Sequence, residues 1–428
     1  MRALPGMYRI ALAIAAAAVL PAAALAQTPA APVARLSLAD AVRMAVARNQ
    51  ALRAQRMAVE ISRADEITAG LKPNLGVSFD VNGLTPFSPH QMSWDYLKDS
   101  ATYDGSVSYL FERGGKRKNR IAAARAATDV TAKDVLDAER QLRLQTAQAF
   151  IDVLLAKSSL DLARENLENF SEIVEVNRQR VASGDLAEAE FYRISLEKLQ
   201  FERDVSAATV SLVVAKATLR QLVGFDTVAE DFEAVGELAY APLTLNLADL
   251  QHQALDARPD LQAAQSGITL AERSLVLERS NRARDVVGNV DYAHTGSDNI
   301  FAVGAAIDIP IHDRNQGNIA RSQVQVRQAN EAMTAERYLV MTDVANAYAA
   351  WQSSEKVVAL YQSGYLEQAQ QSLDVSRYVY QRGAGTLLDL LDAERTYRDI
   401  QLGYRQALAA YMSSVQQINF AVGKQVIP

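Results

Sequence analysis

The chain has 428 residues, a formal net charge of −6 with 22% charged side chains, and no cysteine. Without cysteine there are no disulfides and no lipid-carrying cysteine at a processed N-terminus. The mild acidic excess leaves no basic surplus to neutralise phosphates, which argues against nucleic acid as a partner.

The first 26 residues read as a cleaved secretory signal, so the mature chain works outside the cytoplasm. Arg2 and Arg9 supply positive charge, Ile10 to Leu20 form an apolar core, and Ala24-Leu25-Ala26 is a small-x-small site before Gln27. That apolar run is too short for a membrane anchor, and no later stretch is long and apolar enough for a transmembrane helix. Residues 27–36 follow as an N-terminal extension.

From there the chain says the same thing twice. Residues 176–224 align without a gap on 375–423, which places Val176, Arg178, Gly184, Val223 and Gly224 on Val375, Arg377, Gly383, Val422 and Gly423. The words L-S-L-A-D from Leu36 and L-N-L-A-D from Leu245 mark the start of each half. A repeat this long is a duplicated half-structure rather than a solenoid unit. The first repeat runs over 37–224, an inter-repeat linker over 225–244, the second repeat over 245–423, and a tail over 424–428.

Each repeat opens with a short helix and then changes texture. Val77, Phe79 and Val81 alternate with Ser78, Asp80 and Asn82, and Val107, Tyr109 and Phe111 alternate with Ser106 and Ser108. In the second repeat Val286, Gly288, Val290 and Tyr292 alternate with their neighbours, as do Val303, Ala305, Ile307, Ile309 and Ile311. Period-two patterning predicts β-hairpins at about 75–111 and 286–311, which fit transmembrane strands or half-buried soluble ones. Four spanning strands cannot close a barrel, and open edges are forbidden in lipid. A spanning reading therefore requires several chains to share one barrel, and strand arithmetic leaves two or three chains open.

A long helical hairpin follows in each repeat. No proline occurs between Pro89 and Pro242 or between Pro310 and Pro428, and Gly184 is the only glycine within 116–223. Proline costs about 3 kcal/mol inside a helix, so these gaps permit very long ones. Ile151, Leu154, Leu155 and Leu162 share one helical face. The prediction is a helix over 116–183, a turn at Ser183-Gly184-Asp185 and a return helix to 222, then a helix over 318–381, a turn at Gly383-Ala384-Gly385 and a return to 421. Gly184, Gly383 and Gly385 are expected to supply left-handed backbone. Thr386 with Asp389 forms a capping-box pattern, and Asp185 with Glu188 the same pattern in the first repeat.

The order of elements, with several local words, resembles the outer-membrane factor (TolC-type) family of efflux ducts. Tyr380 to Glu394, Y-Q-R-G-A-G-T-L-L-D-L-L-D-A-E, resembles the family signature at the second periplasmic turn, and L-S-L-A-D-A-V-R-M-A-V-A-R-N from Leu36 its N-terminal signature. E-R-G-G-K-R at 112–117 and P-I-H-D-R-N-Q-G-N at 310–318 resemble strand-to-helix junctions of the cobalt-zinc-cadmium branch. In that branch an aromatic usually precedes the aspartate, where this chain has His312. The resemblance implies a mixed α and β membrane protein of the Gram-negative outer membrane with a large periplasmic part. It would be a homotrimer with a shared twelve-stranded β-barrel and a periplasmic α-helical barrel of twelve helices. A periplasmic adaptor (membrane fusion protein) and an inner-membrane pump of resistance-nodulation-division type would dock on it. Efflux of heavy-metal cations is the implied function, with export of drugs or other small molecules by the same duct as the alternative. A soluble periplasmic coiled-coil adaptor would explain the helical hairpins but not the duplicated strand pairs.

The resemblance also assigns residues. Asp389 and Asp392 match the paired aspartates of the periplasmic constriction, where three copies would ring a narrow mouth and attract cations. Glu190 matches an acidic gate position that bonds to a tyrosine, matched by Tyr380, and to an arginine, where this chain has Gly385. Arg382 or Arg193 could replace that arginine. The tips Ser183, Gly184, Asp185, Gly383, Ala384 and Gly385 would meet the adaptor. No catalytic residue, cofactor or metal site is expected. His90, His252, His294 and His312 have no metal-ligand spacing, and no nucleophile or nucleotide fingerprint occurs.

Overall fold

The computed structural model describes residues 33–84, 93–99 and 101–427, so the signal at 1–26 lies outside the described residues. The first repeat starts with strand β1 (Val33–Leu36) and two helices, α1 (Leu38–Arg48) and α2 (Gln50–Gly70). A single short helix was expected here. Asn49 divides it by adopting extended ψ and accepting the Leu52 amide at 3.0 Å, which starts a new helix. The second repeat divides likewise into α6 (Leu247–Ala257) and α7 (Pro259–Ser280), because Pro259 at the first helical position holds Arg258 in an extended conformation.

Strands β2 (Gly76–Asn82), β3 (Thr102–Phe111), β5 (Val286–Thr295) and β6 (Asp298–Ile307) form one antiparallel sheet in the order β2-β3-β5-β6. The short helix α3 (Trp94–Asp99) lies between β2 and β3 in the chain. The two repeats are stitched together by the β3–β5 ladder, which pairs Thr102 to Phe111 with Thr295 to Val286 without a break. Strand β6 stops at Ile307, opposite Val286, so Ile309 and Ile311, which the alternation predicts to be in it, lie beyond its end. Its ladder partner β5 begins at Val286, and Pro310 has no amide to pair.

The register sorts the sheet into two faces. Val77, Phe79, Val107, Phe111, Val290, Phe301 and Val303 share one, and Ser78, Asp80, Asp104, Ser106, Asp291 and Ala302 share the other. The apolar face is open, with Val303 83% and Val77 77% exposed. Aromatic rings mark both of its ends. Tyr109 and Phe111 meet edge to face at 4.9 Å near the helices, and Tyr292 and Phe301 lie 5.0 Å apart near the β5–β6 turn.

Below the sheet the helices are very long. Helix α4 (Lys116–Ala182) has 67 residues, roughly 100 Å at 1.5 Å per residue. Its return partner α5 (Glu188–Val223) has 36. So α4 packs on α2 in its upper part and on α5 in its lower part. The second repeat has the same plan with α8 (Gln316–Leu360), α9 (Leu366–Gln381) and α10 (Leu387–Val422). The predicted unbroken helix over 318–381 is interrupted by a π-turn at Tyr361–Tyr365, where Gly364 takes φ 121°. That backbone region is open to glycine and costly for other residues.

Midway, β1 pairs in parallel with β4 (Val228–Ala234), so residues from the expected extension and linker form a second small sheet. Leu36, Val228 and Phe232 bury against Phe150, Leu154 and Leu219 in one core cluster. At the same level the guanidinium of Arg258, 2% exposed, bonds Asp343 at 2.8 Å and also pairs with Asp260. Arg140 bonds Asp260 at 3.0 Å and the Phe420 carbonyl at 2.8 Å. Two arginines thus satisfy the terminal carbonyls of α10 and favour its negative dipole end.

Candidate gate and hairpin tips

The two tips close by the same hydrogen bonds. At the first, the Gly184 amide donates to Val181 O at 3.0 Å and the Asp185 amide to Arg180 O at 2.8 Å. At the second, the Gly383 amide donates to Tyr380 O at 2.9 Å and the Ala384 amide to Val379 O at 3.1 Å. Gly184 and Gly383 carry φ of 83° and 72°, as a glycine C-cap requires. Gly385 corrects the expectation, because it is not among the left-handed glycines. It is small for a different reason: a Cβ there would lie 3.0 Å from Val379 Cγ1 and 3.3 Å from the Tyr380 amide nitrogen.

Capping differs between the tips. Thr386 Oγ1 accepts the Asp389 amide at 3.2 Å, and Asp389 Oδ2 accepts the Thr386 amide at 3.2 Å, a complete capping box. The hydroxyl of Thr386 also donates to that carboxylate at 2.6 Å. Hydrogen bonds from the Thr386 side chain and backbone hold the Asp389 carboxyl below its ordinary range. The matching pattern of Asp185 and Glu188 does not cap α5. Its N-cap is Ala187, the repeat mate of Thr386, which has no oxygen to offer. Asp185 instead accepts the Ser183 hydroxyl at 2.9 Å.

Asp392 lies one turn beyond Asp389, and both are exposed on the side of α10 away from buried Leu390, Ala393 and Glu394. Among the described residues Asp392 has no hydrogen bond or ion pair, so its charge is uncompensated within one chain. Tyr380 is buried at the end of α9, and its hydroxyl donates to Asn177 Oδ1 of α4 at 2.8 Å. Asn177 is itself 1% exposed and donates to the Ile173 carbonyl at 2.8 Å. Glu190 sits exposed on the first turn of α5 and makes no hydrogen bond to Tyr380. Burial first, and the Glu190 charge second among the raising effects, push the Tyr380 phenol up. The cation over the Tyr380 ring is Arg180, at 5.6 Å, whereas Arg382 stacks on Tyr378 and Arg193 is exposed.

The comparisons with known proteins follow the same architecture. The family model described as "Outer membrane efflux protein" matches residues 250–424, the second repeat. The likeness to that family is therefore carried at the sequence level by the second repeat. The cobalt-zinc-cadmium resistance protein CzcC of Cupriavidus metallidurans is 24% identical over 77% of this chain and 79% of its own length. The pyoverdine export outer membrane protein OpmQ of Pseudomonas aeruginosa is 25% identical over 82% of this chain and 77% of its own. Among solved structures, CusC superposes with a TM-score of 0.76 at 19% identity, covering 93% of this chain and 96% of the other. The Campylobacter jejuni CmeC outer membrane channel gives 0.76 at 14% identity, over 91% and 87%. The likeness to these solved structures supplies the fold, very long helices that carry a small sheet.

Near the tips, sequence reasoning missed several polar contacts. Asn177 and Arg180 were not singled out, although both contact Tyr380. Nor was the ion pair between Arg377 and the buried Glu394 at 2.9 Å, which braces α9 against α10. Glu394 ends the quoted signature, and Arg377 is the repeat mate of Arg178, so both were in view. What the repeat hides is that Arg178 bonds Glu175 on its own exposed helix face, while Arg377 reaches across the hairpin.

Proposed function

We infer that this chain is the outer-membrane exit duct of a tripartite system, passing substrate onward from an inner-membrane pump and a periplasmic adaptor. The observation that carries the reading is the sheet. It has one continuous apolar face, one polar face and two unpaired edges, β2 and β6. An unpaired edge is excluded from lipid, so the edges must be closed by other copies of the chain. A homotrimer would give a twelve-stranded barrel, with the polar face lining the lumen. The helical hairpins would form the periplasmic tube, and exposed apolar residues of α5 such as Tyr192, Leu196 and Val213 would be covered in it.

In this assembly the tips at 183–185 and 383–385 dock the adaptor. Asp389 and Asp392 ring the periplasmic constriction, and Tyr380 with Glu190 belongs to the gate. Within one chain Tyr380 is latched to Asn177, which leaves Glu190 free for a contact across a chain boundary. Heavy-metal cations are the proposed cargo, supported by the two junction words and by the similarity to CzcC. Export of an organic molecule is the second reading, supported by the similarity to OpmQ, a pyoverdine export protein. Crosslinking of the full-length protein in mild detergent is expected to yield a three-chain species. A clean monomer or dimer would overturn the shared barrel.

A further inference from the structure

Charge is distributed unevenly along the sheet. Four segments meet where its strands join the helices, namely residues 70–75, 111–121, 278–286 and 307–321. Together they hold 11 Lys and Arg against 5 Asp and Glu, a local surplus of +6 in a chain of net charge −6. The opposite end has the opposite sign, with Lys98 set against Asp95, Asp99 and Asp298. Of the acids of the helical end, Glu112, Glu278, Asp285 and Asp313 are engaged locally. Asp285 accepts Lys116 Nζ at 2.7 Å and the Arg113 amide at 2.9 Å, and Glu112 pairs with Arg120 at 2.7 Å. Arg113, Lys118, Arg282 and Arg321 remain exposed and form no ion pair among the described residues. The collar directly adjoins exposed apolar groups, with Phe111 53% and Ile309 77% accessible.

We propose that this collar binds the anionic headgroups of phospholipids in the leaflet on the helical side of the sheet. The proposal rests on the reading of the sheet as a membrane-spanning barrel. Guanidinium and ammonium groups pair with phosphodiester oxygens by charge-assisted hydrogen bonds. Basic side chains at a bilayer surface attract acidic lipids over a range set by the Debye length. The occupant is lipid rather than an acidic protein because the collar is continuous with the apolar band, at the height where headgroups end the hydrocarbon. Acidic lipid so held would fix the depth of the barrel and seal its lower rim.

The test uses full-length protein in nanodiscs of phosphatidylethanolamine and phosphatidylglycerol mixed at a known ratio. Lipid retained after transfer to detergent is counted by native mass spectrometry. The wild type is expected to retain phosphatidylglycerol several-fold above the bulk ratio, with the enrichment falling as salt is raised. The variant R113Q/K118Q/R282Q/R321Q is expected to retain the bulk ratio while keeping its oligomeric state. Should that variant fail to assemble, the pair R282Q/R321Q is measured instead and is expected to show at least a twofold loss of enrichment. Retention at the bulk ratio by the wild type, or equal enrichment in an assembled variant, overturns the collar alone. Retention of a polyglutamate peptide without lipid enrichment assigns the collar to an acidic protein and also overturns it. Failure to insert into the discs overturns the spanning sheet and the collar with it.

Discussion

Asp389 serves the hairpin and faces the solvent at the same time. Its carboxylate closes the capping box with Thr386, yet the residue is exposed on the same side of α10 as Asp392. The two roles separate in experiment. Thr386→Ala removes the cap oxygen and is expected to cost about 1 kcal/mol of local stability with ion block intact. Replacing both Asp389 and Asp392 by Ala is expected to abolish block by multivalent cations from the periplasmic side while trimers persist. Single-channel recording distinguishes them, and persistent block in the double variant removes the constriction role. The cap was legible in the sequence because its partners stand three residues apart. Tyr380 and Asn177 lie 203 residues apart, and no local spacing brings them together. Gly385 was misread because a glycine in a tip suggests a left-handed turn, while close approach to Val379 leaves no trace in a single sequence.

At the scale of elements, period and punctuation carried most of the information. Alternation placed the four strands because each has one wet and one dry face. The absence of proline placed the long helices, helped in the first repeat by Gly184 being the only glycine within 116–223. Two features were beyond those signals. The end of β6 is set by where its partner β5 begins, which is a tertiary fact. The π-turn has a glycine, but Gly267 and Gly403 lie inside unbroken α7 and α10, so glycine alone does not mark a break. Tyr361 also packs across on Tyr404 of α10, with ring centroids 5.9 Å apart, and this packing is invisible in the sequence. The strand facing makes its own prediction. Val303→Arg would put a charge into lipid at a cost of roughly 2–4 kcal/mol near the bilayer centre. Ala302→Arg faces the polar side and is expected to assemble nearly as the wild type. Heat-resistant trimer on gels reads the difference, and equal yields would contradict the facing.

In the whole molecule, the two repeats are held together by ladder and by charge. The β3–β5 ladder joins them at the top, and Arg140, Arg258, Asp260 and Asp343 join them midway. The duplication was legible in the aligned glycines and valines, but this junction was not, since Arg140 meets a carbonyl 280 residues away. Burial opposes ionisation of Asp260, yet hydrogen bonds and charge from Arg258 and Arg140 hold its carboxyl below the ordinary range. Its folded pKa is therefore lower than its unfolded one. The stabilisation is present above the ordinary carboxylate titration near pH 3.9 and is lost as pH falls below it. Arg258→Met leaves the carboxylate short of a partner and is expected to cost about 3 kcal/mol at neutral pH. Thermal dissociation followed from pH 7 down to 3 should show a smaller acid-induced drop in that variant than in the wild type.

The open edges of the sheet have a consequence for inheritance. On the shared-barrel reading, each chain completes its neighbours at β2 and β6 and cannot be sealed by itself. A chain with one spoiled edge strand but intact helices would still enter assemblies and would leave every barrel it joined with an unsealed seam. Such an allele would act dominantly, withdrawing good copies along with bad ones, whereas a chain that never folds would be silent beside a working gene.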